Sequence, residues 1–295
     1  MILEMAQQVR EQLRKVVVGN QQTILWTLAA ILAKGHILLE DIPGVGKTSL
    51  ASALAVTLGL QPGRVQFTSD VLPADVVGYH MPEKGEMVYK NGPIMCNLFL
   101  ADELNRATSR SQSALLEAME ENQVTVDGVC YQLPQPFFVI ATQNPAGPGI
   151  QPLPDGLLDR FALRLRMGYP EKEEERSLLL RPAEDPQPVI TASELMRLQS
   201  VAADTYVKET VADYGVRLVA STRKSPLILR GGSPRATISV MALAKAWARL
   251  QGRDFVTPED VQASFLRCLP HRILARRNPG AALRMVGNFV RKPKK

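Results

Sequence analysis

Residues 36–58 read HILLE, then DIPGVG, then KTSLASALAVTL, and no other stretch limits the possible folds as severely. A short apolar run that ends in a glycine-rich turn suits a buried parallel strand. The run after it has the composition of a helix. A chain that passes from strand to helix through Gly44-Val45-Gly46-Lys47-Thr48 can wrap its backbone around a phosphate chain, because glycine tolerates the required angles and the N–H groups of the loop and helix start face an anion. Lys47 is expected to reach the outer phosphates of a nucleotide, and Thr48 to hold Mg²⁺ through its hydroxyl. Pro43, Gly44, Val45, Gly46 and Ser49 complete the expected nucleotide-binding loop. The full fingerprint has glycine at position 41, where this chain has Asp41. Asp tolerates left-handed backbone better than most residues, so the turn is expected to survive.

Three further segments end apolar runs with polar side chains. Asn97-Leu98-Phe99-Leu100-Ala101-Asp102-Glu103 delivers two carboxylates. In isolation such a pair marks a solvated strand end. In a chain of alternating strands and helices, about 54 residues beyond the Lys-Thr pair, it fits a phosphoryl-transfer site. Asp102 is then a Mg²⁺ ligand and Glu103 the base for the attacking water. Ile140-Ala141-Thr142-Gln143-Asn144-Pro145 places Asn144 to orient that water. Leu158-Asp159-Arg160-Phe161 puts Arg160 before the last strand of the first domain, at the sheet edge, where it can reach a neighbouring subunit's phosphates. In Gly231-Gly232-Ser233-Pro234-Arg235-Ala236, Ser233 caps a helix and Arg235 falls in its first turn. A cation there opposes the helix dipole unless an anion offsets it, which suggests a phosphate-sensing arginine.

Further strands are expected at 64–68, 97–102 and 137–143, with helices at 2–15, 21–34, 47–58 and 109–121. Strands alternating with helices imply a parallel sheet covered on both faces. Two hairpins interrupt the pattern, at 83–91 around Lys84-Gly85 and at 124–133 around Asp127-Gly128. A boundary follows Tyr169-Pro170. Residues 171–190 form a connecting helix and proline-bearing linker, and 191–295 a helical bundle with helices at 192–204, 212–224, 233–249 and 258–269.

Composition narrows the function. The 295 residues suffice for two domains. No apolar run approaches the roughly 20 residues of a membrane span, and the N-terminus lacks the pattern of a signal peptide, so a cytoplasmic protein is expected. Cys96, Cys130 and Cys268, like the three histidines, lie far apart, so structural thiols are expected and a zinc site is not. Net charge is +6, divided as +14 over 215–295 and −8 over the rest. The basic segment invites a polyanionic partner, but aromatics make up 5% of the chain, too few for a base-stacking platform. A nucleic-acid partner is therefore not expected.

Taken together, the motifs resemble those of an AAA+ ATPase, and their finer wording is similar to the MoxR family. The similar stretches include VVVGNQQ (16–22), LLEDIPGVGKT (38–48), ADELNRA (101–107), LLEAMEENQVTVDG (115–128), FFVIATQNP, LDRFALRL, TRKSPLILRGGSPRA and QGRDFVTPEDV, covering nearly the whole chain. The resemblance implies an α/β AAA+ P-loop core over 1–170, with strand order 5-1-4-3-2, and a C-terminal all-α lid. It implies ATP and Mg²⁺ as cofactors, with Val17, Val18 and Gly19 lining the adenine pocket. Lys47 and Thr48 would belong to Walker A, Asp102 and Glu103 to Walker B, Asn144 to sensor 1, Arg160 to the arginine finger and Arg235 to sensor 2. It further implies a homo-oligomeric ring, usually a hexamer, acting as a chaperone-like remodelling ATPase with a partner carrying a von Willebrand factor A domain. Two other readings stay open: a nucleic-acid or chelatase-like motor, and a nucleotide-binding switch or scaffold without significant turnover. A switch commonly lacks at least one of Glu103, Asn144 and Arg160, all present here.

Overall fold

A computed structural model describes the chain except for residues 18–20, 42–43, 147–148, 181–183 and 294–295, and except for the side chains of 174, 177 and 178. Two helices, α1 (Ile2–Leu13) and α2 (Gln21–Leu32), precede β1 (His36–Glu40). There follow α3 (Lys47–Thr57), β2 (Pro62–Gln66), α4 (Pro73–Val77), the hairpin β3 (Gly78–Glu83) and β4 (Glu86–Asn91), β5 (Leu98–Asp102) and α5 (Ser109–Glu121). A second hairpin, β6 (Gln123–Val126) and β7 (Val129–Gln132), leads to β8 (Phe138–Gln143), α6 (Asp155–Leu158), β9 (Phe161–Leu165) and α7 (Lys172–Leu180). The remainder comprises α8 (Ala192–Ala203), α9 (Glu209–Thr222), β10 (Ile228–Arg230), α10 (Pro234–Leu250), α11 (Pro258–Cys268), β11 (Leu274–Ala275) and α12 (Pro279–Phe289).

Strands β2, β5, β8, β1 and β9 form one parallel sheet in that order. Counting these five strands along the chain gives 5-1-4-3-2, as expected. Alternate side chains leave the sheet on opposite faces. Ile37, Leu39, Leu98, Leu100, Ile140 and Leu163 join one core with α1, α2, α3 and the C-terminal helices. Leu38, Phe99, Ala101, Val139, Ala141 and Phe161 join the other with α5. Burial on both faces explains why β1, β5 and β8 are almost unbroken apolar runs.

Both hairpins turn through two residues of positive φ, Lys84 and Gly85 in one, Asp127 and Gly128 in the other, which matches strand twist. The first begins at Gly78, five residues before the expected 83, and Pro82 lies within it. The edge strand β2 begins at Pro62 rather than 64, since proline is tolerated at the first residue of an edge strand. A Cβ at Gly63 would stand 2.1 Å from the Pro93 carbonyl oxygen, so close approach requires glycine there.

The C-terminal helices pack around α10, which also contacts α1 and α2. Trp26 of α2 stacks on Trp247 of α10, with centroids 4.0 Å apart, and the Arg267 guanidinium lies 4.3 Å from the Trp26 ring. Two features here were not expected: the short antiparallel ribbon β10–β11, and α12, which starts at the capping Asn278 followed by Pro279. Among the described residues no helix is long and apolar enough to cross a membrane.

Candidate active site

The candidate site lies at the C-terminal ends of β1, β5 and β8, where the sheet delivers loop 41–46, Asp102-Glu103 and Asn144. Gly44 and Gly46 take positive φ of 85° and 84°, and Gly46 is the N-cap of α3. Among the described residues of this loop the left-handed positions fall at these glycines; Asp41 is held in another way. Its carboxylate accepts the N–H groups of Met167 and Gly168 at 2.8 and 2.6 Å, fastening the loop to the segment after β9. Pro43, Val18 and Gly19 lie outside the described residues, and Val17 is buried in the core beside α1. Val45 is partly buried, whereas Ser49 in the first turn of α3 is exposed.

Lys47 is largely buried. Its ammonium donates to the Asp41 carbonyl at 2.5 Å and to Asn144 Oδ1 at 3.0 Å. Burial lowers its pKa, against the opposing fields of Asp41, Asp102 and Glu103. The Asn144 side chain is a two-ended bridge, because its Nδ2 donates to Glu103 Oε1 at 2.8 Å. Lys47, Asn144 and Glu103 therefore form one hydrogen-bonded line. The Asn144 carbonyl is fixed in turn by Asn105 Nδ2 at 2.8 Å.

Asp102 accepts from Thr142 Oγ1 at 2.6 Å, Arg64 Nη2 at 2.8 Å and Thr48 Oγ1 at 3.3 Å. Glu103 has left-handed backbone, φ 56° and ψ 43°, a conformation of order 1–3 kcal/mol in cost for a side-chain-bearing residue. Its N–H is held by Thr142 Oγ1 at 2.8 Å, and its Oε2 lies 3.4 Å from both Gln66 Nε2 and Arg106 Nε. Thr142, Arg64, Gln66 and Asn105 were not singled out as site residues by sequence reasoning. Thr142 stands inside the Ile140–Pro145 motif, so its position was a usable signal; the other three arrive through strand pairing and loop packing.

Arg160 and Arg235 lie elsewhere. Arg160 immediately precedes β9, whose Phe161 is level with His36 at the start of β1. The five residues of β1 span about 13 Å between that level and the phosphate loop. Arg160 and Arg235 meet instead at Glu120, in the last turn of α5: Arg160 Nη2 pairs with one carboxylate oxygen, and Arg235 Nη2 with the other at 2.6 Å. Glu120 is thus the anion that offsets Arg235 at the start of α10. A cavity of about 430 Å³ opens beside this cluster, with Lys34 and His36 also on its wall.

With Lys47, Asn144, Glu103, Asp102 and Thr48 in mutual contact, the site combines a cation for phosphates, two hard oxygen donors suited to Mg²⁺ and a carboxylate aimed by an amide. Comparisons with known proteins bear on the family. The profile described as ATPase family associated with various cellular activities (AAA) matches residues 36–163, and the AAA lid domain profile matches 220–291. The uncharacterized protein YeaC of Bacillus subtilis is 46% identical over 90% of this chain and 85% of its own length. Chaperone MoxR1 of Mycobacterium tuberculosis is 38% identical over 89% of this chain and 74% of its own. A crystal structure of an ATPase candidate from Cytophaga hutchinsonii superposes with a TM-score of 0.91 and 33% identity, covering 99% of this chain and 96% of that one.

Proposed function

Because the chain belongs to the MoxR family of AAA+ ATPases, we propose that it hydrolyses ATP to ADP and phosphate in an oligomeric ring and uses that cycle to remodel or mature protein complexes. Residues 1–170 act as the nucleotide core, 171–190 as the connection and 191–295 as the lid. The observation that carries the reading is the line Lys47–Asn144–Glu103 beside Asp102 and Thr48. Lys47 binds the outer phosphates. Asn144 holds the Glu103 carboxylate in place to take a proton from water as its oxygen attacks the terminal phosphorus, while the bond to the bridging oxygen breaks toward ADP. Thr48 and Asp102 would hold Mg²⁺, which when bound offsets phosphate charge. The protein partner is one with a von Willebrand factor A domain.

The placement of Arg160 supports completion of each site by a neighbouring subunit. At the starting end of the strands it lies about a strand's length from its own phosphate loop and is paired with Glu120, as is Arg235. The test is mixing. Arg160→Ala should bind ATP and lose about 10³-fold in turnover, the scale of a supplied arginine. Lys47→Ala should be inactive with its Arg160 intact. Mixed rings pair the pocket of one chain with the arginine of the other and should regain partial activity. Mixed oligomers that form and stay inactive would remove the trans role of Arg160.

A further inference from the structure

Arg272 stands between α11 and β11, only 5% exposed, and directs two of its hydrogen bonds to the segment that carries Arg160. Its Nη2 donates to the carbonyls of Asp159 at 3.0 Å and Phe161 at 2.8 Å, the residues on either side of Arg160. The same nitrogen reaches Ser239 Oγ of α10 at 3.1 Å, and Nη1 reaches Cys268 Sγ at 3.0 Å. Its Nε lies 3.6 Å from Asp159 Oδ1. His271 Nε2 lies 2.8 Å from the Phe161 carbonyl, which can only accept, so that nitrogen carries the proton. On the other side of Asp159, the Ser233 hydroxyl lies 3.0 and 2.9 Å from its two carboxylate oxygens, and Ser233 is two residues before Arg235.

Burying a guanidinium is costly unless its donors are met by well-placed acceptors. Here Nη2 and Nη1 are met by acceptors while Nε has only the Asp159 carboxylate at 3.6 Å, and two of the acceptors bracket one residue, Arg160, whose own side chain takes no part in the bracket. We infer that Arg272 is a positioning residue: it clamps the backbone on both sides of Arg160 and fixes where that side chain starts, beside Glu120. Because Arg272 is anchored in the C-terminal helices through Ser239 and Cys268, a shift of those helices also shifts Arg160. Asp159 joins the same clamp to the start of α10, so Arg160 and Arg235 travel together. This inference rests on the proposed action of Arg160 across the subunit interface.

The experiment uses full-length Arg272→Met, Arg272→Lys and Asp159→Asn chains, each checked for cooperative thermal unfolding, ATP binding and oligomer formation. Arg272→Met should lose on the order of 10²-fold in kcat, the scale of a small misplacement of a reacting group, with KM within about twofold. Arg272→Lys, which keeps a donor and the charge, should fall between it and the wild type. Mixing then assigns the defect to one side of the interface. Arg272→Met chains have a sound pocket and a misaimed Arg160, so Lys47→Ala chains should restore activity and Arg160→Ala chains should not. If Arg272→Met does not fold, Arg272→Lys and Asp159→Asn carry the same mixing test. Wild-type turnover in the folded variants, rescue by Arg160→Ala, or no rescue by Lys47→Ala in mixed oligomers that form, would each overturn the positioning role. Failure of the underlying trans reading shows separately, as no recovery when Arg160→Ala and Lys47→Ala chains are mixed.

Discussion

The Asn144 amide donates to the Glu103 carboxylate at 2.8 Å, so the side chain assigned to water activation is held in place from the neighbouring strand. Glu103→Gln keeps the size of the side chain and leaves Asp102 untouched. It should bind ATP normally and lose about 10²–10⁴-fold in hydrolysis, the contribution of a general base. Nucleotide binding and single-turnover hydrolysis measured on the same preparation check this. Near-normal turnover would place the base elsewhere.

Lys47 donates to both the Asp41 carbonyl and Asn144. Lys47→Ala should weaken ATP binding severely, because the cation meant for the outer phosphates is gone. It also cuts the line to Glu103 at its first link. Equilibrium titration with a fluorescent ATP analogue is the measurement, and unchanged affinity would withdraw the phosphate-loop assignment.

A third prediction concerns acid. His36 is buried between the Met119 carbonyl and the Val139 N–H, 3.0 Å from each, and desolvation outweighs the Met119 bond to push its pKa down to about 4. Burial likewise holds His271 well below its ordinary value. In the unfolded chain an imidazole takes up its proton near 6.5, so from there down to about 4 the unfolded state binds more protons than the folded one. His36 therefore contributes stability that is complete above pH 6.5 and is lost as pH falls toward 4. The slope is about 1.4 kcal/mol per pH unit for one such group. Urea titrations of wild type and His36→Gln across that window should show a shallower slope in the variant. Parallel slopes would refute the assignment.

The distribution of charge bears on the motor reading. Of the basic residues after 215, Arg230 pairs with Asp155, Arg235 with Glu120, Arg253 with Asp260, Arg272 with Asp159 and Lys292 with Glu259. Three of these cations, Arg230, Arg235 and Arg272, are thereby offset by acids of the first domain rather than presented to a polyanion. Single- or double-stranded DNA at physiological salt should not stimulate the ATPase, and any binding should fall steeply as salt rises. Robust stimulation would favour a nucleic-acid motor.

The nucleotide side of this protein is legible in its sequence because the chemistry is local. A glycine loop, a lysine and a threonine, or a carboxylate pair ending a strand, are contiguous, and the buried parallel strands that carry them are plain apolar runs. What escaped detection is created by chain crossings. Arg64 meets Asp102 because β2 pairs with β5, and Glu120 meets Arg160 across 40 residues. No local pattern encodes such pairings. Asp41 shows a different limit: backbone tolerance suggested how the position could work, yet its carboxylate is committed to Met167 and Gly168, 126 and 127 residues away. The start of α12 was readable in Asn278-Pro279, whereas β3 was obscured by its glycine and proline.

The two hairpins are joined side to side. Tyr89 of β4 stacks on Tyr131 of β7 with centroids 3.9 Å apart, and His80 of β3 bridges to Asp127 at 2.8 Å and to the Tyr131 hydroxyl at 2.9 Å. Far apart in sequence, they are tied to each other by these side-chain contacts. The second hairpin, β6–β7, follows α5, which itself follows the segment that begins just after Glu103. A displacement carried to one hairpin would therefore press on the other through the Tyr89–Tyr131 stack.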